Sequence, residues 1–107
     1  MKTWWLYLLE CNGDRLYAGI AIDVAARFEL HRTGKGARFT RANRPKTILA
    51  AQPFETRGDA LRAEYALKQL KRAEKLQWAA QWRFLSETED QIGRNTKRAK
   101  RSDEVMK

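Results

Sequence analysis

The 107-residue chain has a single cysteine, Cys11, and a single histidine, His31. One cysteine excludes an internal disulfide and most thiolate metal sites, and makes the cytoplasm the expected compartment. One histidine beside it leaves no convincing zinc set and no Cys–His dyad with a third residue to orient it. Long apolar runs are also missing: nothing approaches the roughly 20 consecutive apolar residues of a membrane-spanning helix. The opening MKTWWLYLLEC has one lysine and a short apolar run but no small-residue cleavage site. It reads as a strand rather than a secretory leader. Acidic residues are scarce as well. Asp and Glu number 13 against 22 Lys and Arg, for a net charge of +9, and neither acid occurs between Leu30 and Phe54. That interval holds Arg32, Lys35, Arg38, Arg41, Arg44 and Lys46, and a second basic run, RNTKRAKR, covers Arg94–Arg101. Such an excess points to a polyanionic partner, against the plainer alternative of a solvated basic surface.

What is present reads as one α/β domain over residues 1–85, followed by a polar, basic tail over 86–107 that is expected to be mobile from about 93. Residues 4–11 and 15–22, rich in Leu, Ile, Tyr and Trp, predict two strands joined across Asn12-Gly13-Asp14. Both are nearly apolar on both faces, so the hairpin is expected centrally in a short three-stranded sheet flanked by helices. Asp23 is a candidate N-cap for a helix from about Val24 to Arg32, which Gly34 or Gly36 would end. GKGARFTRANRP then reads as a basic loop, and KTILAAQPF as a third strand closed by Pro53. Thr56, with Asp59 three residues on, predicts a helix to about Leu70. Lys71 to Leu85 continues helically, as the same helix bent or as a second one. Trp78 and Trp82, four residues apart, suggest packing more than a base-stacking platform.

The helical wheels hold two oddities. At about 100° per residue, Val24, Phe28 and Leu30 enclose an arc that also contains Arg27 and His31, neighbours one turn apart. On the later helix Glu64 falls between Leu61 and Leu67, although a surface pair with Lys68 would also account for it. A carboxylate and an arginine set among apolar residues need pairing, a metal, or both.

With these residues in order, the chain resembles the GIY-YIG nuclease superfamily, in particular its small stand-alone YhbQ-type members. Trp5-Leu6-Tyr7 stands at the first tripeptide motif and Tyr17-Ala18-Gly19 at the second. DVAARFELH matches the family's D-x-x-x-R-x-x-x-H helix, GKGAR follows at Gly34–Arg38, and ALRAE sets Glu64 at the metal-binding glutamate. The resemblance covers roughly residues 3–80. Trp5, Leu6 and Ala18 depart from the motif letters but leave both tyrosines in place, and Ala21 stands where Thr or Ser is common.

The resemblance implies a small α/β sandwich and a metal-dependent hydrolase of phosphodiester bonds in DNA, with branched and single-stranded forms as the candidate substrates. The alternative is a catalytically weak nucleic-acid-binding module that keeps the fold. Tyr17 or His31 would help deprotonate the attacking water, Arg27 would stabilise transition-state charge, and Tyr7 would position water or phosphate. Glu64 would hold one divalent cation, Mg2+ or Mn2+. The cations Arg32, Lys35, Arg38, Arg41 and Arg44 would line the nucleic-acid groove. A shared site requires both tyrosines on one face of the sheet. A two-residue turn at Asn12-Gly13 would put them on opposite faces, so a three-residue loop or an equivalent bulge is predicted.

Overall fold

Strand β1 (Trp4–Cys11) buries Leu6, Tyr7, Leu8 and Leu9 in succession. Successive side chains of a strand point to opposite faces, so β1 has to be covered on both. The computed structural model describes residues 2–84 and uses β1 in that way. The elements follow as β1, β2 (Arg15–Ala21), α1 (Val24–Arg32), α2 (Arg38–Ala42), β3 (Pro45–Phe54), α3 (Arg57–Lys68) and α4 (Arg72–Gln81). The fold is α/β: a three-stranded antiparallel sheet, in the order β2-β1-β3, with helices on both faces.

The expected central hairpin is central only in its first strand. β2 lies at an edge, and its side chains agree with that place: Arg15 is exposed, while Leu16, Tyr17 and Ile20 are half-buried. The predicted three-residue connection is found. Cys11 pairs with Arg15 across Asn12–Asp14, a single 3-10 turn in which Gly13 and Asp14 both have positive φ. Leu9 therefore faces Tyr17 and Tyr7 faces Gly19, which sets the two tyrosines on one side of the sheet. The Arg72 guanidinium donates to the Asp14 carbonyl and ties this turn to α4.

Leu6, Leu8, Ala18 and Ala50 fill one face together with Leu67 of α3 and Ala79 of α4, and Trp78 and Trp82 pack against them. Tyr7, Leu9, Cys11 and Ala51 fill the other face with Val24 and Phe28 of α1. Cys11 has no exposed surface, and burial pushes its thiol pKa up. Both predicted N-caps are made: Asp23 accepts from the Ala26 amide at 3.0 Å, and Thr56 Oγ1 accepts from the Asp59 amide at 3.0 Å.

The structure departs from the sequence reading in three further places. The basic stretch read as loop contains a helix, α2. The strand closed by Pro53 starts at Pro45 and runs on to Phe54, which an edge strand tolerates at its ends. The helix drawn to Leu85 is a separate one that stops at Gln81. Trp82 caps it, and Arg83 bridges antiparallel to Ala50 of β3: the Ala51 amide donates to the Trp82 carbonyl at 2.9 Å, and the Phe84 amide donates to the Leu49 carbonyl at 3.2 Å. The tail read over 86–107 lies outside the described residues. Among the described residues no helix is long and apolar enough to cross a membrane.

Candidate active site

The α1 face of the sheet carries the polar groups. Tyr7 is 2% exposed, and its ring lies across Gly19 on the neighbouring strand. A Cβ at Gly19 would stand 2.5 Å from the Tyr7 hydroxyl oxygen, so only glycine leaves room for the ring. The Tyr7 hydroxyl meets His31 Nε2 at 2.9 Å. His31 is fully enclosed, and its other nitrogen, Nδ1, meets Thr40 Oγ1 of α2 at 2.7 Å. Thr40, also without exposed surface, lies 2.9 Å from the Ala37 carbonyl, to which its hydroxyl can donate. Gly36 seals the ring from the side, where any Cβ would overlap the imidazole. The result is a buried polar chain, Tyr7–His31–Thr40, with both imidazole nitrogens occupied.

Tyr17 stands at the open end of this chain. Its ring meets His31 edge-on at 5.1 Å between centroids and Tyr7 at 6.5 Å, and Phe39 stacks on it at 5.7 Å. Unlike Tyr7, Tyr17 is only half-buried.

The charges around the cluster have readable effects. Burial, and then the neighbouring Tyr17, push the Tyr7 phenol up to about 12, while Arg27 pulls it down and the Glu64 carboxylate adds to the rise. Tyr7 is therefore a neutral phenol at physiological pH. Burial, and then the positive charge of Arg27, hold His31 below the ordinary imidazole range, so it too is neutral at pH 7. Arg27 and Glu64 both act on Tyr7, one from α1 and the other from α3.

Arg27 is not buried as the wheel implied; it is exposed. The wheel's apolar arc was drawn too wide, because Leu30, one of its limits, is 39% exposed. Glu64 is half-buried, and its Oε2 pairs with Lys68 at 3.0 Å. Among the described residues Arg27 and Glu64 form no ion pair with each other, so the buried pair considered from the sequence is absent.

The five loop cations are all exposed but differ in use. Arg32 forks onto Glu29, with contacts of 3.1, 3.1 and 2.8 Å. Arg44 donates to the Arg32 carbonyl at 2.8 Å and the Arg41 carbonyl at 3.3 Å, fastening the ends of the loop together. Arg41 reaches the Gly36 carbonyl at 3.4 Å. Lys35 and Arg38 enter no ion pair among the described residues.

Sequence reasoning missed Thr40 and Phe39. Both sit on α2, a five-residue helix with no side-chain cap, where no apolar periodicity could mark them. Thr40 matters only through a bond to a residue nine positions earlier.

His31 makes stability depend on pH. The unfolded chain regains an ordinary imidazole pKa of about 6.5 and there binds a proton that the native state refuses. Stability is thus complete above that value and is lost as pH falls through it toward the lowered native pKa. We expect thermal melting temperatures to be level from pH 8 to 7 and to decline from about pH 6.5 to 5. His31→Gln should be less stable throughout but lose that component of the slope. An unchanged slope in the variant would assign the decline to other groups.

The three-stranded antiparallel sheet sets Tyr7, Tyr17 and His31 together on one face, on the strands and helix whose motifs resemble the GIY-YIG superfamily. The comparisons agree. The family model described as the GIY-YIG catalytic domain matches residues 3–77. A UPF0213 protein of Cupriavidus necator is 47% identical over 80 residues, spanning 75% of this chain and 87% of its own. A UPF0213 protein of Xanthomonas axonopodis pv. citri is 53% identical over 78 residues, spanning 73% and 76%. The solution structure of protein EF2693 from E. faecalis superposes with a TM-score of 0.54 at 34% identity, over 76% of this chain and 86% of that one. The chain belongs to the GIY-YIG family, a family of endonucleases, and is similar over most of its length to its small UPF0213 members.

Proposed function

We propose that this chain hydrolyses phosphodiester bonds in DNA with the help of one divalent cation, acting in the cytoplasm on branched or single-stranded forms. The observation that carries the reading is the cluster of Tyr7, Tyr17 and His31 on one face of the sheet, with the Tyr7 hydroxyl 2.9 Å from His31 Nε2, within residues that match the GIY-YIG catalytic domain.

In this reading Tyr17, the more accessible of the two phenols, aligns the attacking water. It accepts the proton released on attack while passing its own to solvent, so the phenol is neutral before and after. The water oxygen bonds to phosphorus, the bond to the leaving oxygen breaks, and that oxygen is protonated from solvent. Arg27, exposed at the cluster, donates its forked N–H groups to the phosphate oxygens as charge builds on them. Tyr7, 2% exposed and with its hydroxyl on His31 Nε2, acts from behind Tyr17 as a positioning residue. Enclosed as it is, His31 holds that hydroxyl in place instead of meeting the water itself, which favours Tyr17 over His31 as the proton acceptor.

Among the described residues no three His, Cys, Asp or Glu side chains are grouped as a metal cage. The lone Glu64 carboxylate, with one oxygen on Lys68, fits Mg2+ or Mn2+ held mostly by water and substrate phosphate, and does not fit zinc. When bound, such a cation supplies Lewis-acid polarisation of a phosphoryl oxygen. The Lys68 contact also favours a second reading, a weak nucleic-acid-binding module, because Lys68 competes with the cation for Glu64. A nick assay with Mg2+ or Mn2+ on branched, nicked and single-stranded DNA tests the proposal. Cleavage that requires the cation supports it, whereas DNA binding without cleavage at any metal concentration leaves only the module.

Binding itself should rest on Lys35 and Arg38, the two of the five loop cations whose side chains make neither an ion pair nor a hydrogen bond among the described residues. Replacing either with alanine should weaken all sequences about equally and lower the log–log salt slope by roughly 0.9 for duplex DNA. Arg32→Ala should change the slope less, since its fork is already on Glu29. Titrations at several salt concentrations check this, and a slope unmoved in Lys35→Ala and Arg38→Ala would return the cluster to plain surface charge.

A further inference from the structure

Phe39 is the one aromatic of the basic segment, and nothing in the hydrolytic scheme uses it. It is 36% exposed, although Thr40, the next residue, is fully buried. Tyr17 covers one face of its ring, nearly parallel at an interplanar angle of 24°. Stacked on Tyr17, the side chain still leaves about a third of its surface to solvent. Arg38 precedes it in α2 and Arg41 follows two residues later, both exposed. An apolar ring held flat on a second ring gains nothing from water on its outer side. Other large apolar side chains are at least as exposed, Tyr65 among them at 70%, and what sets Phe39 apart is its place against Tyr17 and between exposed cations.

We propose that the outer face of Phe39 is a nucleobase subsite, which stacks one unpaired base while Lys35 and Arg38 hold the adjoining phosphates. This rests on the reading of the chain as a DNA-acting protein and narrows it to unpaired strands. A base within a duplex already has a neighbour on each face and cannot cover the ring, whereas an unpaired base can. The Tyr17 stack fixes the ring's orientation before the strand arrives, so little is lost in ordering it on binding. It also sets the held nucleotide next to the phenol that aligns the attacking water. Stacking accepts any base, so the subsite selects for strand state and not for sequence.

The test is binding in metal-free buffer, where cleavage plays no part. The probes are one oligonucleotide containing 2-aminopurine, single-stranded, and the same strand in duplex. Phe39→Leu keeps an apolar side chain of similar bulk but removes the π face. It should weaken single-strand binding by roughly five- to hundredfold, the range of one lost base stack, and leave duplex binding within about twofold. Phe39→Trp should retain single-strand affinity, and 2-aminopurine emission should be quenched on binding to wild type and Phe39→Trp but not to Phe39→Leu. Equal losses on both probes, or single-strand affinity untouched by Phe39→Leu in a protein that melts normally, would overturn the subsite. Failure of the hydrolytic reading would look different: no metal-dependent nicking, with the strand preference intact.

Discussion

Glu64→Gln is expected to lower metal-dependent nicking by roughly 10³-fold or more, the scale of losing a cation's several kcal/mol of charge stabilisation. The amide keeps the shape of the carboxylate but not its charge, so added Mn2+ should no longer raise the rate. DNA affinity should hold, because Glu64 is no part of the basic loop. Stability should hardly move, since what is lost from the fold is one i,i+4 pair with a half-exposed lysine, worth about 0.3–0.5 kcal/mol in such pairs. Nicking rates across a Mn2+ titration decide the matter, and a variant as active and as metal-responsive as wild type would remove Glu64 from the site.

The second large effect is expected at Arg27. Arg27→Ala should slow turnover by roughly 10² or more, the measured scale of removing one donor aimed at transition-state charge. Arg27→Lys should recover little of it, because an ammonium cannot reproduce the guanidinium fork. Affinity for DNA should stay close to wild type. Because Arg27 is exposed and unpaired with Glu64, melting should shift by no more than an ordinary surface substitution, within about 0.5 kcal/mol. The His31 pKa should rise in the alanine variant, since the Arg27 charge is part of what holds it down. NMR titration of the single imidazole reads that shift directly. A large loss of stability in Arg27→Ala, with no metal-dependent cleavage in the wild type, would make the arginine architectural and the hydrolytic reading wrong.

The hairpin and its register were legible because both rest on local rules. A period of two fixes which residues share a face, and the Asn12–Asp14 turn residues tolerate left-handed backbone. The family motifs were legible for the same reason, being short and ordered along the chain. Burial on α1 was legible only in part: Val24 and His31 are buried as their place in the apolar arc implied, but Arg27 is not. A nine-residue helix offers few apolar positions to define an arc, and Leu30, taken as one of them, faces outward. α3 has the same weakness at Leu61, which is 37% exposed, so Glu64 lies at the rim of the packed face and not within it. The strand order was hidden because which edge of β1 takes β3 depends on how α1 and α2 return the chain. The Tyr7–His31–Thr40 chain needed coordinates, since hydrogen bonds between residues 24 and 9 positions apart leave no periodic trace.

Cys11 gives the molecule a private clock. Its sulfur has no surface and its thiol is made less acidic by its surroundings, so an alkylating reagent meets it only in molecules whose central strand has come away. Because no second thiol shares the signal, the labelling rate counts those openings one site at a time, without a probe being added. The same seclusion keeps oxidants from the one atom in the chain most easily damaged by them, for as long as the sheet stays closed.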